Sequence, residues 1–234
     1  VTSLTLNGVA VTLTSGTFTA AFQPTIGVNT LTLVAKDAAG NTTTITSTFT
    51  YVALTFNGTA GNDTLIGNAL SNVLNGMGGD DLLDCGAGGN DQANGGDGND
   101  TISCVEPLTT AKANADIVNC GAGTNDRATV DPYDKVIGCE KVLRVWIGSA
   151  KRDVAKGTRA NDRFDLKAGN DQVTCGGGND TVLTGAGNDV INCVDRGKMA
   201  KKHRDTVNCG AGRKDKATVD KFDKVIGCEG VTRV

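Results

Sequence analysis

Ten acidic or amide side chains recur at intervals of about nine residues, in two separate blocks. They are Asp63, Asn72, Asp81, Asp91 and Asp100 in the first block and Asp153, Asp162, Asp171, Asp180 and Asp189 in the second. Most of them follow glycine-rich stretches, whose conformational freedom brings bare carbonyl oxygens together in tight turns. Calcium prefers six to eight oxygen ligands of the carboxylate and carbonyl type. We therefore predict that these ten residues bind calcium, and that calcium is the cofactor.

The spacing defines a nine-residue unit. Five units occupy 58–103, with Cys85 as a one-residue insertion, and five more occupy 148–192 without a gap. The sixth place holds the acid or amide, and the eighth place holds an apolar residue in every copy. A six-residue turn followed by a three-residue strand places each apolar side chain inside a flattened parallel roll. Stacked carboxylates repel by about 1 kcal/mol per pair in water, so we expect calcium to drive folding.

The unit 95–103, with the sequence GGDGNDTIS, has Gly at its first, second and fourth places, Asp at the sixth and Ile at the eighth. It resembles the nonapeptide of the repeats-in-toxin, or hemolysin-type, calcium-binding family, and the unit 175–183 differs only at its first place. The resemblance implies a parallel β-roll, calcium bound between turns two units apart, and secretion. Asn72 departs from the pattern as a neutral ligand, and Lys151 and Arg152 crowd the first site of the second block. A disordered Gly/Asp linker is the rival interpretation, but it would not keep an apolar residue two places after each acid.

Each block is followed by a related tail. The run DIVNCGAG at 116–123 returns as DTVNCGAG at 205–212, 89 residues later. Short Val-rich runs in the tails predict further, less regular coils that cap the roll. The internal duplication predicts two cassettes, 55–145 and 146–234, each a β-roll with its tail. Glu140 and Glu229 end matching stretches, and the sequence leaves open whether they are ligands or merely exposed.

Residues 1–54 alternate apolar side chains with Thr or Ser, which predicts half-buried antiparallel strands. Asn7-Gly8 predicts a tight hairpin turn, and 37–41 a second turn. The stretches LNGV at 6–9 and KDAAGNT at 36–42 resemble the later strands of bacterial immunoglobulin-like domains. That resemblance implies a partial β-sandwich that serves as a spacer and whose first strands lie upstream. The predicted fold class is all-β, a partial sandwich followed by two tandem β-rolls.

Eight cysteines in a chain with only 4% aromatic residues favour disulfides and an oxidising compartment. Zinc is excluded by spacing, because no CxxC occurs and His203 is the single histidine. The predicted pairs are Cys85–Cys104, Cys120–Cys139, Cys175–Cys193 and Cys209–Cys228. Separations of about one coil place both cysteines at the same corner of adjacent turns, within disulfide reach. The competing scheme joins Cys104 to Cys120 and Cys193 to Cys209.

The remaining features bear on function. A net charge of −3 does not favour nucleic acid, no apolar run has the length of a membrane span, and no catalytic motif is visible. We predict a secreted or cell-surface calcium-binding structural module, not an enzyme. The alternatives are the C-terminal module of a larger secreted hydrolase or epimerase and a part of a surface adhesin, each with upstream domains.

Two smaller features are also interpreted. A basic loop contains Arg196, Lys198, Lys201, Lys202, His203 and Arg204. A solvated surface loop is favoured over contact with a polysaccharide or another cell-surface polymer. Trp146 is expected to pack at the junction of the two cassettes.

Overall fold

The computed structural model describes residues 1–20, 22, 24, 27–195 and 202–234. They form two compact units, Val1–Ala53 and Leu54–Val234. Within the described ranges the one helix is α1 (Leu108–Ala111), and all other regular elements are strands. None of the described residues forms a helix long and apolar enough to cross a membrane. The all-β prediction is confirmed.

The first unit contains one antiparallel sheet of four strands in the order β2-β1-β3-β4. The strands are β1 (Ser3–Leu6), β2 (Val9–Ala10), β3 (Gly27–Lys36) and β4 (Thr42–Tyr51). Asn7 and Gly8 have φ angles of 47° and 81°, which make the predicted hairpin turn between β1 and β2. At the second predicted turn the Asp37 carboxylate accepts hydrogen bonds from the N–H groups of Ala39 and Asn41.

The sandwich expected for this first unit is not confirmed. Its described residues form a single sheet, and Leu4 is the only apolar side chain among them that is buried. Ile45 and Val28 on the longer strands are exposed, because the described residues form no second sheet that covers them. The immunoglobulin-like assignment stays a prediction.

The second unit is a parallel β-solenoid of about ten turns, as the nonads predict. One face is a nine-stranded sheet made of β6 (Thr64–Ile66), β8 (Leu82–Asp84), β10 (Thr101–Cys104), β12 (Arg127–Val130), β14 (Lys141–Ile147), β16 (Asp162–Asp165), β18 (Thr181–Leu183), β20 (Thr206–Asn208) and β22 (Lys224–Ile226). The opposite face is divided between two five-stranded sheets. The first contains β5 (Leu54–Asn57), β7 (Asn72–Gly78), β9 (Gln92–Asp97), β11 (Ile117–Ala122) and β13 (Lys135–Ile137). The second contains β15 (Val154–Lys156), β17 (Gln172–Thr174), β19 (Val190–Cys193), β21 (Lys216–Val219) and β23 (Gly230–Arg233).

The eighth-place residues form the core of the solenoid. Ile102 lies between Leu83 and Ala128 on neighbouring strands, and all three side chains are buried. Ala128 belongs to the first tail, so the tail strands extend the stack of apolar side chains beyond the repeats. Some strands bury a second apolar residue two places later, as β10 does with Cys104 and β12 with Val130. The core is still thin for a chain of this length.

The nine-stranded sheet continues through both cassettes. Strand β14 pairs with β12 on one side and with β16 on the other. Trp146 in β14 is 3% exposed and stacks on Phe164, with 4.7 Å between the ring centroids. This packing confirms the prediction for Trp146. The proposed division into 55–145 and 146–234 falls within β14, and as a division of domains it stays a prediction.

All four predicted disulfides are confirmed, and the competing pairing is wrong. The Cα–Cα distances are 5.0 Å for Cys85–Cys104, 5.1 Å for Cys120–Cys139, 4.8 Å for Cys175–Cys193 and 5.2 Å for Cys209–Cys228. These values match the spacing of neighbouring strands, because each bridge joins consecutive coils on one face of the solenoid.

Candidate calcium sites

The acidic side chains stack from coil to coil in four ladders. In each ladder the backbone N–H of one member donates a hydrogen bond to the side-chain oxygen of the next member along the chain. Ladder A contains Asp63, Asp81, Asp100, Asp126 and Glu140. Ladder B contains Asn72, Asp91, Asp116 and Asp134. Ladder C contains Asp153, Asp171, Asp189, Asp215 and Glu229, and ladder D contains Asp162, Asp180, Asp205 and Asp223.

These hydrogen bonds use only one oxygen of each inner carboxylate. The Asp81 N–H donates to Asp100 Oδ1 at 2.9 Å, and the Asp100 N–H donates to Asp126 Oδ1 at 2.7 Å. The Oδ2 atoms of these carboxylates are buried and have no hydrogen-bond partner. Among the described ladder residues, the same holds for Oδ2 of Asp91, Asp116, Asp171, Asp180, Asp189 and Asp215. A buried anionic oxygen without a partner is costly, so these atoms fit a bound cation.

The first member of each ladder behaves differently. Asp63 Oδ2 accepts the Thr59 N–H at 2.6 Å, and Asp153 Oδ2 accepts the Ser149 N–H at 2.7 Å. Asn72 and Asp162 close their own turns in the same way. Six of the ten predicted residues therefore present a buried free oxygen, whereas the four at the ladder starts are held by hydrogen bonds within their own turns.

Glycine at the first place of the unit leaves room beside the free oxygen. A Cβ atom added to Gly95 would lie 2.2 Å from Asp100 Oδ2 and 2.3 Å from the carbonyl oxygen of Cys120. A Cβ on Gly76 would meet Asp81 Oδ2 and the Gly95 carbonyl oxygen in the same way, at 2.2 and 2.4 Å. Carboxylate and carbonyl oxygens thus converge where a side chain would otherwise stand. This is the donor set that calcium prefers.

Burial raises the pKa of several ladder carboxylates above the ordinary value of 3.8. Desolvation is the largest cause in each case, and neighbouring ladder carboxylates add repulsion at Asp116, Asp171, Asp180 and Asp205. The pKa rises to about 8 for Asp116 and Asp180, to about 7 for Asp134 and Asp205, and to about 6 for Asp91 and Asp171. A cation in the ladders would favour the ionised forms and lower these pKa values.

The tails contribute acids that the nonad pattern did not identify. They are Asp116, Asp126 and Asp134 with Glu140 in the first tail, and Asp205, Asp215 and Asp223 with Glu229 in the second. Glu140 and Glu229 end ladders A and C by accepting the N–H groups of Asp126 and Asp215. The sequence does contain the pattern that identifies them, because an apolar residue stands two places after each of these acids, as Val118 does after Asp116.

A second set of side chains, at the fifth place, supports the turns. The Asp80 N–H donates to Asn62 Oδ1 at 2.9 Å, and the Asn99 N–H donates to Asp80 Oδ1 at 2.7 Å. The second cassette repeats the arrangement, with the Asn179 N–H on Asn161 Oδ1. The recurring Asn-Asp dipeptide marks this second row in the sequence, although only its Asp was predicted to be functional.

The described part of the basic loop contacts the roll. Arg204 lies over the Phe222 ring at 5.1 Å from its centroid, and its N–H donates to Asn179 Oδ1. His203 Nδ1 lies 3.2 Å from Asp195 Oδ2. Arg196, Lys198 and Lys201 lie outside the described residues. A polysaccharide partner for this loop stays a prediction.

Comparison with known proteins bears on the repeats alone. The family model described as the RTX calcium-binding nonapeptide repeat matches four times, at residues 57–88, 86–103, 147–173 and 156–191. The matches cover both blocks of nonads, and neither tail is matched. A search among curated proteins found no significant match. The repeats recognised in the sequence are therefore confirmed, and calcium is the ligand of such repeats.

Proposed function

We propose, on the premise that this chain carries RTX calcium-binding repeats, that it is a secreted, non-catalytic structural module whose β-rolls fold on binding calcium. The observation that carries the proposal is the row of buried, unpartnered carboxylate oxygens along ladders A to D. The RTX repeat is a structural calcium-binding module. The hydrogen bonds and free oxygens of the ladder residues are accounted for by turn formation and calcium binding, which supports a structural role.

The energetics favour coupled binding and folding. Each inner carboxylate loses water on one oxygen without gaining a hydrogen bond there, and successive carboxylates repel one another. The apolar core is thin, so the burial of its side chains contributes too little folding free energy to offset that cost. Calcium coordinated by the free oxygens and nearby carbonyl groups removes both penalties, so its binding free energy becomes folding free energy.

We assign the calcium ligands as follows. The six predicted residues with a free oxygen, Asp81, Asp91, Asp100, Asp171, Asp180 and Asp189, are the principal repeat ligands. Asp63, Asn72, Asp153 and Asp162 begin the ladders and act mainly by holding the first turns. Asp126 and Asp215 in the tails have the same free oxygen and extend ladders A and C beyond the repeats.

An extracellular location is part of the proposal. It is supported by the four disulfides, since such bonds persist in oxidising compartments. The millimolar calcium found outside cells suits extracellular modules with dissociation constants of roughly 10⁻⁴ to 10⁻³ M. The context of a larger hydrolase, epimerase or adhesin stays a prediction.

A calcium titration followed by circular dichroism tests the proposal. We expect the calcium-free chain to lack most of its β signal and to gain it at free calcium of about 10⁻⁴ to 10⁻³ M. Magnesium at the same concentration is the control, because its smaller octahedral shell fits such cages poorly. A β signal that excess chelator leaves unchanged, both with intact and with reduced disulfides, would contradict coupled folding.

A further inference from the structure

Five acidic side chains gather at the start of the first tail, where ladder B leaves the repeats. They are Asp91, Glu106, Asp116, Asp131 and Asp134, and all five are buried. Asp91, Asp116 and Asp134 belong to ladder B. Glu106 and Asp131 belong to no ladder and to no nonad, so they bring two carboxylates that the repeat pattern does not supply.

Glu106 links these side chains into two groups of three. One ligand oxygen each from Asp91, Glu106 and Asp116 lie within 4.8 Å of one another, and the same holds for Glu106, Asp131 and Asp134. Oxygens bound to one calcium ion at 2.3–2.6 Å can be at most about 5 Å apart. Both groups therefore have the spacing of a single coordination shell.

Hydrogen bonds hold one oxygen of each of these carboxylates and leave the other free, except at Asp134, whose two oxygens accept the N–H groups of Asp116 and Asp131. The Gly88 N–H donates to Glu106 Oε1 at 3.3 Å, and the Tyr133 N–H donates to Asp131 Oδ1 at 2.8 Å. Glu106 Oε2 and Asp131 Oδ2 are buried without a hydrogen-bond partner, as are the Oδ2 atoms of Asp91 and Asp116. Glu106 and Asp131 are 1% and 0% exposed. Four buried carboxylate oxygens to which no group of the chain donates therefore belong to the two groups around Glu106.

Arg144 lies beside this cluster but makes no hydrogen bond to its carboxylate oxygens. The Arg144 guanidinium donates to the backbone carbonyl oxygens of Asp131 and Asp134, at 2.7 Å and 3.4 Å. Those hydrogen bonds fix the chain around the cluster and leave the carboxylate oxygens available. Cys85 and Cys104 lie near Asp116, but their sulfurs are joined in a disulfide and offer no thiolate ligand.

We propose that Glu106 and Asp131, with ladder B, bind one divalent cation in addition to those of the nonapeptide repeats. The ligands are carboxylate oxygens, and no thiolate or imidazole is among them, so calcium is the ion that suits the site. The ion would join the loop 105–115, which interrupts the coil, to the strands on either side of it. This site shares Asp91 with the proposed repeat ligands, but its two distinguishing ligands, Glu106 and Asp131, lie outside the repeats.

The second cassette provides an internal comparison. Asp195 stands at the place of Glu106, and His203 stands at the place of Asn114, both 89 residues later. Asp195 is one methylene shorter, and its Oδ2 lies 3.2 Å from His203 Nδ1. The described residues of this tail contain no group of three carboxylates with the close spacing found around Glu106. The second tail is therefore expected to lack the additional ion.

Calcium stoichiometry of the full chain tests the site. Glu106→Gln keeps the shape of the side chain and removes its charge, so we expect one calcium fewer by calorimetry and native mass spectrometry, or at least a tenfold weaker site. Asp195→Asn is the matched control and should leave the stoichiometry unchanged. Equal calcium binding by the wild type and Glu106→Gln would overturn the proposal, and would indicate that protonation satisfies the cluster. A loss of calcium equal in both variants would also overturn it.

A second measurement needs no variant and covers the case in which Glu106→Gln does not fold. Crystals of the wild-type chain grown in calcium should show an anomalous scattering peak within 2.3–2.6 Å of Glu106 Oε2. Peaks along ladders A to D with none beside Glu106 would overturn this site and leave the repeat sites standing. A peak beside Glu106 with none in the ladders would support this site and contradict the proposed function.

Discussion

Asp171 and Asp153 have different roles because they occupy different places in ladder C. The Asp171 N–H donates to Asp189 Oδ1, Asp171 Oδ1 accepts the Asp153 N–H, and Asp171 Oδ2 is free. Asp153 begins the ladder, and Ser149 holds its second oxygen. Asp171 can thus serve the turns on both sides, whereas Asp153 mainly closes its own turn.

We therefore expect Asp171→Ala to weaken calcium binding more than Asp153→Ala does. Calorimetry at equal protein concentration should show lost sites or at least a tenfold weaker affinity for Asp171→Ala, and a smaller change for Asp153→Ala. The two variants lose the same chemical group, so each is the control for the other. Equal losses would argue against ligands shared between turns.

The raised carboxylate pKa values predict how pH acts on the calcium-free chain. Burial raises the pKa of Asp116 and Asp180 from 3.8 to about 8 in the folded state. The folded state then holds these protons more tightly than the unfolded state does. Stability from protonation is fully present below about pH 4 and is lost as the pH rises through 8.

Circular dichroism of the chain at pH 5 and pH 8 checks this expectation. Without calcium the chain should keep more of its β signal at pH 5 than at pH 8, where the buried carboxylates are ionised. With saturating calcium this difference should shrink or reverse, because the metal binds the deprotonated carboxylates. A calcium-free chain with more β signal at pH 8 than at pH 5 would contradict the raised pKa of the buried ladder acids.

At the scale of the turn, first-place glycines keep space for the ligand oxygens. A Cβ on Gly95 would collide with both the Asp100 carboxylate and the Cys120 carbonyl oxygen, whereas a Cβ on Gly61 would meet nothing closer than Thr59 Oγ1 at 3.8 Å. Gly95→Ala should cost about 1–3 kcal/mol of stability and weaken calcium binding. Gly61→Ala is the matched control and should change neither by much. Denaturant unfolding and a calcium titration measure the two effects, and similar results for both variants would contradict the role of Gly95.

At the scale of paired strands, each disulfide joins consecutive coils. Cys175–Cys193 joins the end of β17 to β19, and both cysteines are buried. Replacing both with Ser should cost about 3 kcal/mol in the chain-entropy model, since the bridge closes a loop of about 18 residues. Urea unfolding in saturating calcium measures the loss. A double variant as stable as the wild type would show that the bridge adds little once calcium is bound.

At the scale of the molecule, the nine-stranded sheet makes residues 54–234 one compact unit. Trp146 is the single tryptophan of the chain and lies in β14, between the two cassettes. We expect calcium titrations followed by tryptophan fluorescence and by circular dichroism to coincide, because the shared sheet couples the cassettes. Two separated transitions would indicate that the cassettes fold independently.

The sequence by itself determined what depends on a regular local period. The sixth-place acids, the eighth-place core residues and the cysteine pairs follow from coils of 18 or 19 residues, in which neighbours along the chain become neighbours in space. That period predicted the parallel roll, its calcium chemistry and all four disulfides. It holds because each coil contacts only the coils beside it.

Only the tertiary structure decided where the period is interrupted. Asp116 stacks on Asp91 from 25 residues away, and Asp126 on Asp100 from 26, because the coil closes over a longer loop. Glu106 lies beside Asp91 and Asp116 but comes from within such a loop, where no repeat spacing identifies it. The difference between ladder starts and inner members likewise depends on whether another coil lies beside them. The stacking of the tail acids and the behaviour of the ladder starts both depend on which coils are adjacent in space. A nine-residue pattern predicts adjacent coils only where the repeat is uninterrupted.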